Sequence, residues 1–294
     1  MRVDVFSALS LSLVFVALAC GFVFSFLLTR RHTPDETRSP AEYGLAHDDV
    51  SFPARDGLTL RGWWIPAALA GADSNRAVIF LHGHGGSMDP DVQYVPAFHA
   101  AGLSVLMFDF RAHGRSEGRV STMGYLERQD ALGAVDFLKS KGIERIGLLG
   151  FSMGGVVALL TAPICPDVCA VISDGGPARL NSALRGWCME KKLPRWLAAA
   201  VAGLTLAVTS LRLRANMFRY EPVRWVGQIA PRPVLLIHGE CDPYLPPGDF
   251  GALVTAANEP KEVWRVPEVG HRTVDQMYPD EYRRRVVAFF QRNL

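Results

Sequence analysis

Cysteine is scarce and irregular in this chain. The five residues, Cys20, Cys165, Cys169, Cys188 and Cys241, are scattered and odd in number, which argues against a disulfide framework. Cys165 and Cys169 form a C-x3-C pair. No second pair and no histidine stands at zinc spacing from it, so these are read as ordinary thiols. An excess of one charge is also missing: 31 basic against 29 acidic side chains leave +2 at neutral pH. That balance builds no strong basic field, and nucleic acid is not an expected partner. There is no internal repeat and no low-complexity tract.

What is present is apolar bulk. Hydrophobic residues make up 49% of 294 and charged ones 20%, enough for a sizeable core and too apolar for disorder. The length suits one α/β domain plus an appendage.

The appendage is legible at the start. From Val5 to Leu28 there is no charge, and the run ends at Thr29-Arg30-Arg31-His32. A bilayer core needs roughly 20 apolar residues in a helix, so residues 1–31 are expected to form a transmembrane anchor. A cleaved signal peptide would have a basic start and a shorter apolar stretch; here Asp4 offsets Arg2. Lipidation at Cys20 is a further alternative, although apolar residues continue beyond it. Residues 32–47 read as a linker, polar and broken by Pro34 and Pro40. Arg30 and Arg31 outweigh the other flank, which by the positive-inside rule puts the rest of this single-pass protein in the cytoplasm.

The remainder, residues 48–294, alternates strands with helices. Val50–Phe52 and Leu60–Ile65 suggest an opening antiparallel pair around Asp56-Gly57. Wholly apolar runs follow at residues 77–81, 104–108, 146–149, 170–172 and 234–237, and a further strand at 262–266. Runs apolar on both faces suit a parallel sheet covered by helices. Helical patterns occupy 126–141, 154–162 and 281–293. The expected fold class is therefore α/β with a mainly parallel sheet. Residues 176–230 break the alternation. Their middle, Trp196 to Leu211, is uncharged and short for a membrane span. It is read as a helical lid, with a buried core helix or a second membrane contact as alternatives.

Chemistry concentrates in four places. Gly150-Phe-Ser152-Met-Gly154 fits G-x-S-x-G between an apolar strand and a small-residue helix, the setting a nucleophile elbow requires. A serine hydroxyl needs a base, and the base needs an orienting acid. Two histidines follow Ser152: His238 closes a strand and reads as structural, whereas His271 lies on a loop before the last helix. Asp242 is preferred over Glu240 as the acid because it sits deeper in the loop and precedes Pro243. The backbone N–H groups of Met153 and His84, the latter in His82-Gly-His-Gly-Gly86, are the candidate oxyanion donors. His82, His84 and His99 have no carboxylate or cysteine completing a ligand set, so no metal is expected. The loop from Asp109 to Gly118 reads as a structural turn held by Arg111 and Asp109, with a substrate-facing role as the alternative.

Five motifs together resemble the α/β-hydrolase superfamily, most closely its single-domain serine hydrolases: His82-Gly83, Asp109 to Ser116, Gly150 to Gly155, His238 to Pro246 and Gly270-His271. His84 stands where small or amide residues are common in such proteins. The resemblance implies an eight-stranded, mostly parallel sheet with helices on both faces and an inserted lid. It also implies cofactor-free hydrolysis of an ester, thioester or amide by a triad of Ser152, Asp242 and His271. A small-molecule or lipid-like ester is the expected substrate, with the membrane as partner; oligomeric state is left open. An aminopeptidase-like enzyme on the same fold and a non-catalytic binding module are the alternatives. A peptidase calls for a charged pocket, and Glu190 is the only acidic residue between Asp174 and Glu221.

Overall fold

The computed structural model describes residues 5–34, 38–67 and 75–294. Arg2 and Asp4, weighed above for orientation, and Asp35–Thr37 of the linker lie outside the described residues. The chain opens with α1 (Val5–Thr29), then β1 (Asp48–Pro53), β2 (Thr59–Ile65) and β3 (Arg76–Leu81). α2 (Val95–Ala100), β4 (Ser104–Phe108), α3 (Glu127–Ser140), β5 (Arg145–Phe151), α4 (Met153–Thr161) and β6 (Val168–Asp174) follow. Next come α5 (Leu180–Glu190), α6 (Arg195–Leu213), α7 (Pro222–Trp225) and β7 (Val234–Gly239). α8 (Pro247–Ala256), β8 (Lys261–Val266), α9 (Val274–Met277) and α10 (Pro279–Asn293) close it.

The eight strands form one sheet in the order β1-β2-β4-β3-β5-β6-β7-β8. β1 and β2 pair antiparallel, as does β2 with β4; all later pairs are parallel. The sheet is thus mixed and mostly parallel. Alternation along β3 explains its two covered faces. Ile79 and Leu81 point into a core with α3, α4 and α8, whereas Val78 and Phe80 point into a second core with α2 and α10. A strand buried on both sides must be apolar throughout, which is why these runs lack polar alternation.

Beyond β6 the chain leaves the sheet for α5, α6 and α7. α6 is long and apolar enough to cross a membrane by length and composition, and 28% of its most apolar stretch is buried. It packs against α1. Gly21 makes this close: a Cβ there would lie 2.9 Å from Leu204 Cγ. Polar groups pin the pair further along, where Thr209 donates to Ser25 Oγ at 2.8 Å and Arg212 reaches Ser25 and Thr29.

The loop after β4 is a turn held by Arg111 and Asp109, through partners that the sequence alone did not name. Arg111 pairs with Asp130 of α3 at 2.6 Å and with Asp56 at 2.7 Å. Asp109 instead accepts the N–H groups of Met88 and Arg115 at 2.9 and 2.8 Å. The Arg111 and Asp130 side chains are 3% and 0% exposed, so removing one strands the other's charge. Arg111→Ala is expected to cost about 3–5 kcal/mol, read as a large fall in melting temperature of the full chain; an unchanged transition would contradict the pairing.

Candidate active site

Ser152 stands between the end of β5 and the start of α4, with φ +51° and ψ −112°. A non-glycine residue rarely adopts such a backbone, and holding it costs on the order of 1–3 kcal/mol. The neighbours impose it. Ser152 N–H donates to Asp174 O at 2.8 Å, anchoring the turn to the end of β6. The flanking glycines are required by space. A Cβ on Gly150 would meet Gly154 O at 2.2 Å, and one on Gly154 would meet Leu81 O at 1.8 Å. Met153 opens α4, so its N–H is among the first four of the helix, which have no partner within it. The positive end of the helix dipole therefore lies beside the serine.

The structure brings Ser152, His271 and Asp242 together from three loops. Ser152 Oγ lies 2.9 Å from His271 Nε2, and His271 Nδ1 lies 2.7 Å from Asp242 Oδ2. A carboxylate only accepts, so Nδ1 carries the proton and Nε2 offers its lone pair to the hydroxyl. Asp242 is buried at 3% exposure and takes the N–H groups of Tyr244 and Leu245 on its other oxygen. Tyr244 stands edge-on over the His271 ring. Glu240, the alternative acid, is exposed. His238 lies buried against Phe250, outside this constellation.

A buried network beneath the histidine loop carries no sequence signature. Arg272 adopts φ +55° and lays its guanidinium over Phe151 at 3.9 Å. It reaches Asp91 at 3.4 Å and Asp174 at 3.9 Å, and Tyr282 donates to Asp174 at 2.8 Å. Burial pushes Asp91 up to about 7, against the pull of Arg272. Arg272 thus ties the loop bearing His271 to the strand end that anchors Ser152.

The loop after β3 crosses the elbow, and a Cβ on Gly83 would lie 3.6 Å from Ser152 Cβ. His82 fastens this loop by accepting Phe110 N–H at 2.9 Å, and burial lowers its pKa to about 4. His84 reaches away, to Leu28 O at 2.9 Å in the last turn of α1. His32 and His113 close on it, so that one donor atom from each of the three lies within 4.8 Å of the others. His99 belongs to α2 and takes no part.

A cavity of about 610 Å³ opens above Ser152. Ser152, His84 and His271 form its floor, Leu184 and Trp187 of α5 one wall, and Phe24 and Leu28 of α1 another. Among the described residues its lining carries no carboxylate.

Comparison with known proteins agrees with this architecture. The uncharacterized protein YfhR of Salmonella typhimurium is 28% identical over 291 residues, 96% of this chain and 94% of that one. The esterase Pf2001 of Pyrococcus furiosus superposes with a TM-score of 0.73 at 28% identity, over 90% of this chain and 98% of that one. A puromycin-hydrolyzing peptidase of Mycobacterium tuberculosis shares the fold at 19% identity, with a TM-score of 0.67 over 85% of this chain and 40% of that one. Residues 78–288 match the alpha/beta hydrolase family, and the chain belongs to that family.

Proposed function

We propose that the protein is a membrane-anchored serine hydrolase that cleaves carboxylic esters with an apolar acyl chain. The observation that carries this is the hydrogen-bonded chain Asp242–His271–Ser152, closed at 2.7 and 2.9 Å at the floor of an apolar cavity. In this mechanism His271 Nε2 takes the hydroxyl proton as Oγ attacks the ester carbonyl. Asp242 steadies the imidazolium, and the N–H groups of Met153 and His84 hold the oxyanion. His271 returns the proton to the leaving alcohol. Water, deprotonated by the same imidazole, then releases the acid and restores the serine.

The cavity supports an acyl substrate over a peptide terminus. Its volume is in the range of ligand sites, roughly 300–1,000 Å³, and its lining is mostly apolar, with Arg30 at one side and no carboxylate to grip an amine. Glu190 is turned to Tyr244 instead. The likeness to an esterase at 28% identity points the same way.

In this reading α1 is the anchor and α5 to α7 the lid. The 25 residues of α1 span ~37 Å, against ~30 Å for a bilayer core. Phe15, Phe22 and Phe26 on α1, with Trp196 and Leu211 on α6, expose apolar surface that water would not favour. Because Phe24 and Leu28 wall the cavity, the anchor is also part of the acyl pocket. The basic pair after α1 supports a cytoplasmic catalytic domain by the positive-inside rule.

Three outcomes follow from this reading. Ser152→Ala and His271→Ala should each lower turnover of p-nitrophenyl esters on the order of ten-thousand-fold; full activity in either would defeat the mechanism. Each buried methylene is worth ~0.8 kcal/mol, roughly fourfold in kcat/KM, so Leu184→Trp should shift preference to shorter acyl chains, and an unaltered chain-length profile would rule out this wall. A reporter fused after Leu294 should be active on the cytoplasmic side, and activity on the outer side alone would reverse the orientation.

A further inference from the structure

Where α1 leaves its helix, the chain returns to the hydrolase core through a dense set of contacts. Arg31 donates to the carbonyls of Gly114, Ser116 and Gly118 at 2.8, 2.7 and 2.9 Å. Arg30 bridges to Val120, and His32 N–H donates to Ala112 O at 2.8 Å. These backbone ties deliver the His32 ring into a space already occupied by His84 and His113. The His32 ring stacks on His113 with centroids 5.1 Å apart and meets His84 edge-on at 4.7 Å.

Hydrogen bonds orient two of the three rings as metal ligands are oriented. His113 Nδ1 donates to Arg111 O at 2.8 Å, leaving Nε2 with its lone pair. Gly85 N–H approaches that nitrogen at a long 3.3 Å. His84 Nε2 donates to Leu28 O at 2.9 Å, leaving Nδ1 free to ligate. A carbonyl acceptor on the far nitrogen is how metal-binding imidazoles are held in one tautomer. His32 Nε2 is buried and has no hydrogen-bond partner among the described residues. A buried nitrogen without a partner is costly, and a bound cation would satisfy it.

We propose that His32, His84 and His113 form a binding site for a divalent transition metal of the zinc class, which clamps the exit of α1 to the loop over Ser152. Three neutral imidazoles without an anionic ligand suit zinc, cobalt, nickel or copper and not magnesium or calcium, which take oxygen donors. Tetrahedral zinc holds its nitrogens ~2.0–2.1 Å away, hence roughly 3.4 Å from one another. Donors within 4.8 Å of one another need only a small inward movement to reach that geometry. The metal is a fastener beside the elbow and takes no step in ester cleavage.

The site goes beyond the hydrolase reading, and its test needs no substrate. The full chain in detergent, stripped by a chelator at pH 7.5, is titrated with cobalt(II). The expected result is one equivalent bound with the visible bands of a tetrahedral site, and a higher melting temperature with zinc. His32→Ala should weaken binding at least ~tenfold, as should the bulkier His32→Gln, which covers the case in which the smaller side chain destabilises the fold. His99→Ala, away from the cluster, should bind as the parent does. Absence of stoichiometric binding, binding unaffected by both His32 variants, or equal loss in His99→Ala would overturn the site.

Discussion

A serine held at positive φ is the constraint on which the rest of the site depends. The turn at Ser152 costs free energy that its surroundings must offset. It persists because β5 is clamped between β3 and β6, and because Gly150 and Gly154 leave no Cβ to collide with Gly154 O and Leu81 O. The same clamp lifts Oγ above the sheet edge, within 2.9 Å of His271 Nε2. Arg272 extends it. By lying over Phe151 and reaching Asp174, it fixes the histidine loop to the two strand ends that hold the elbow.

The sequence displayed the fold well because its signals are local. Strands buried on both faces must be apolar throughout, so β3 through β7 announced themselves as short unbroken runs. The loops bearing Ser152 and Asp242 could be placed because each follows such a run and carries glycine or proline at a turn, and that of His271 because it leads from β8 toward the terminal helix through Gly270. α2, α8 and α9 were missed: two are short, and α8 contains Gly248 and Gly251, which blur a helical pattern. The partners of Arg111 were missed for a different reason. Asp56 and Asp130 lie 55 and 19 residues away, and no spacing rule relates them.

The contacts of the first thirty residues were the least legible. An uncharged run followed by Arg30-Arg31-His32 reads as a helix and a basic stop, yet these three residues also dock onto the loops beside the elbow. Ser25 likewise reads as a neutral interruption of an apolar helix and in fact meets Thr209 and Arg212 of α6. His84 reaches Leu28 O because that carbonyl, in the last turn of α1, has no partner within the helix. Residues of α1, α5 and α6 and of the loops beside Ser152 thereby line one cavity.

The central claim is that Ser152 is the nucleophile of a hydrolase working through a covalent intermediate. Treating the folded, detergent-solubilised chain with a fluorophosphonate and mapping the adduct by peptide mass spectrometry tests it most directly. The account predicts a single phosphonyl adduct on Ser152, lost when the protein is unfolded before treatment. No adduct on the folded protein, or an adduct on another residue with Ser152 unmodified, would contradict it.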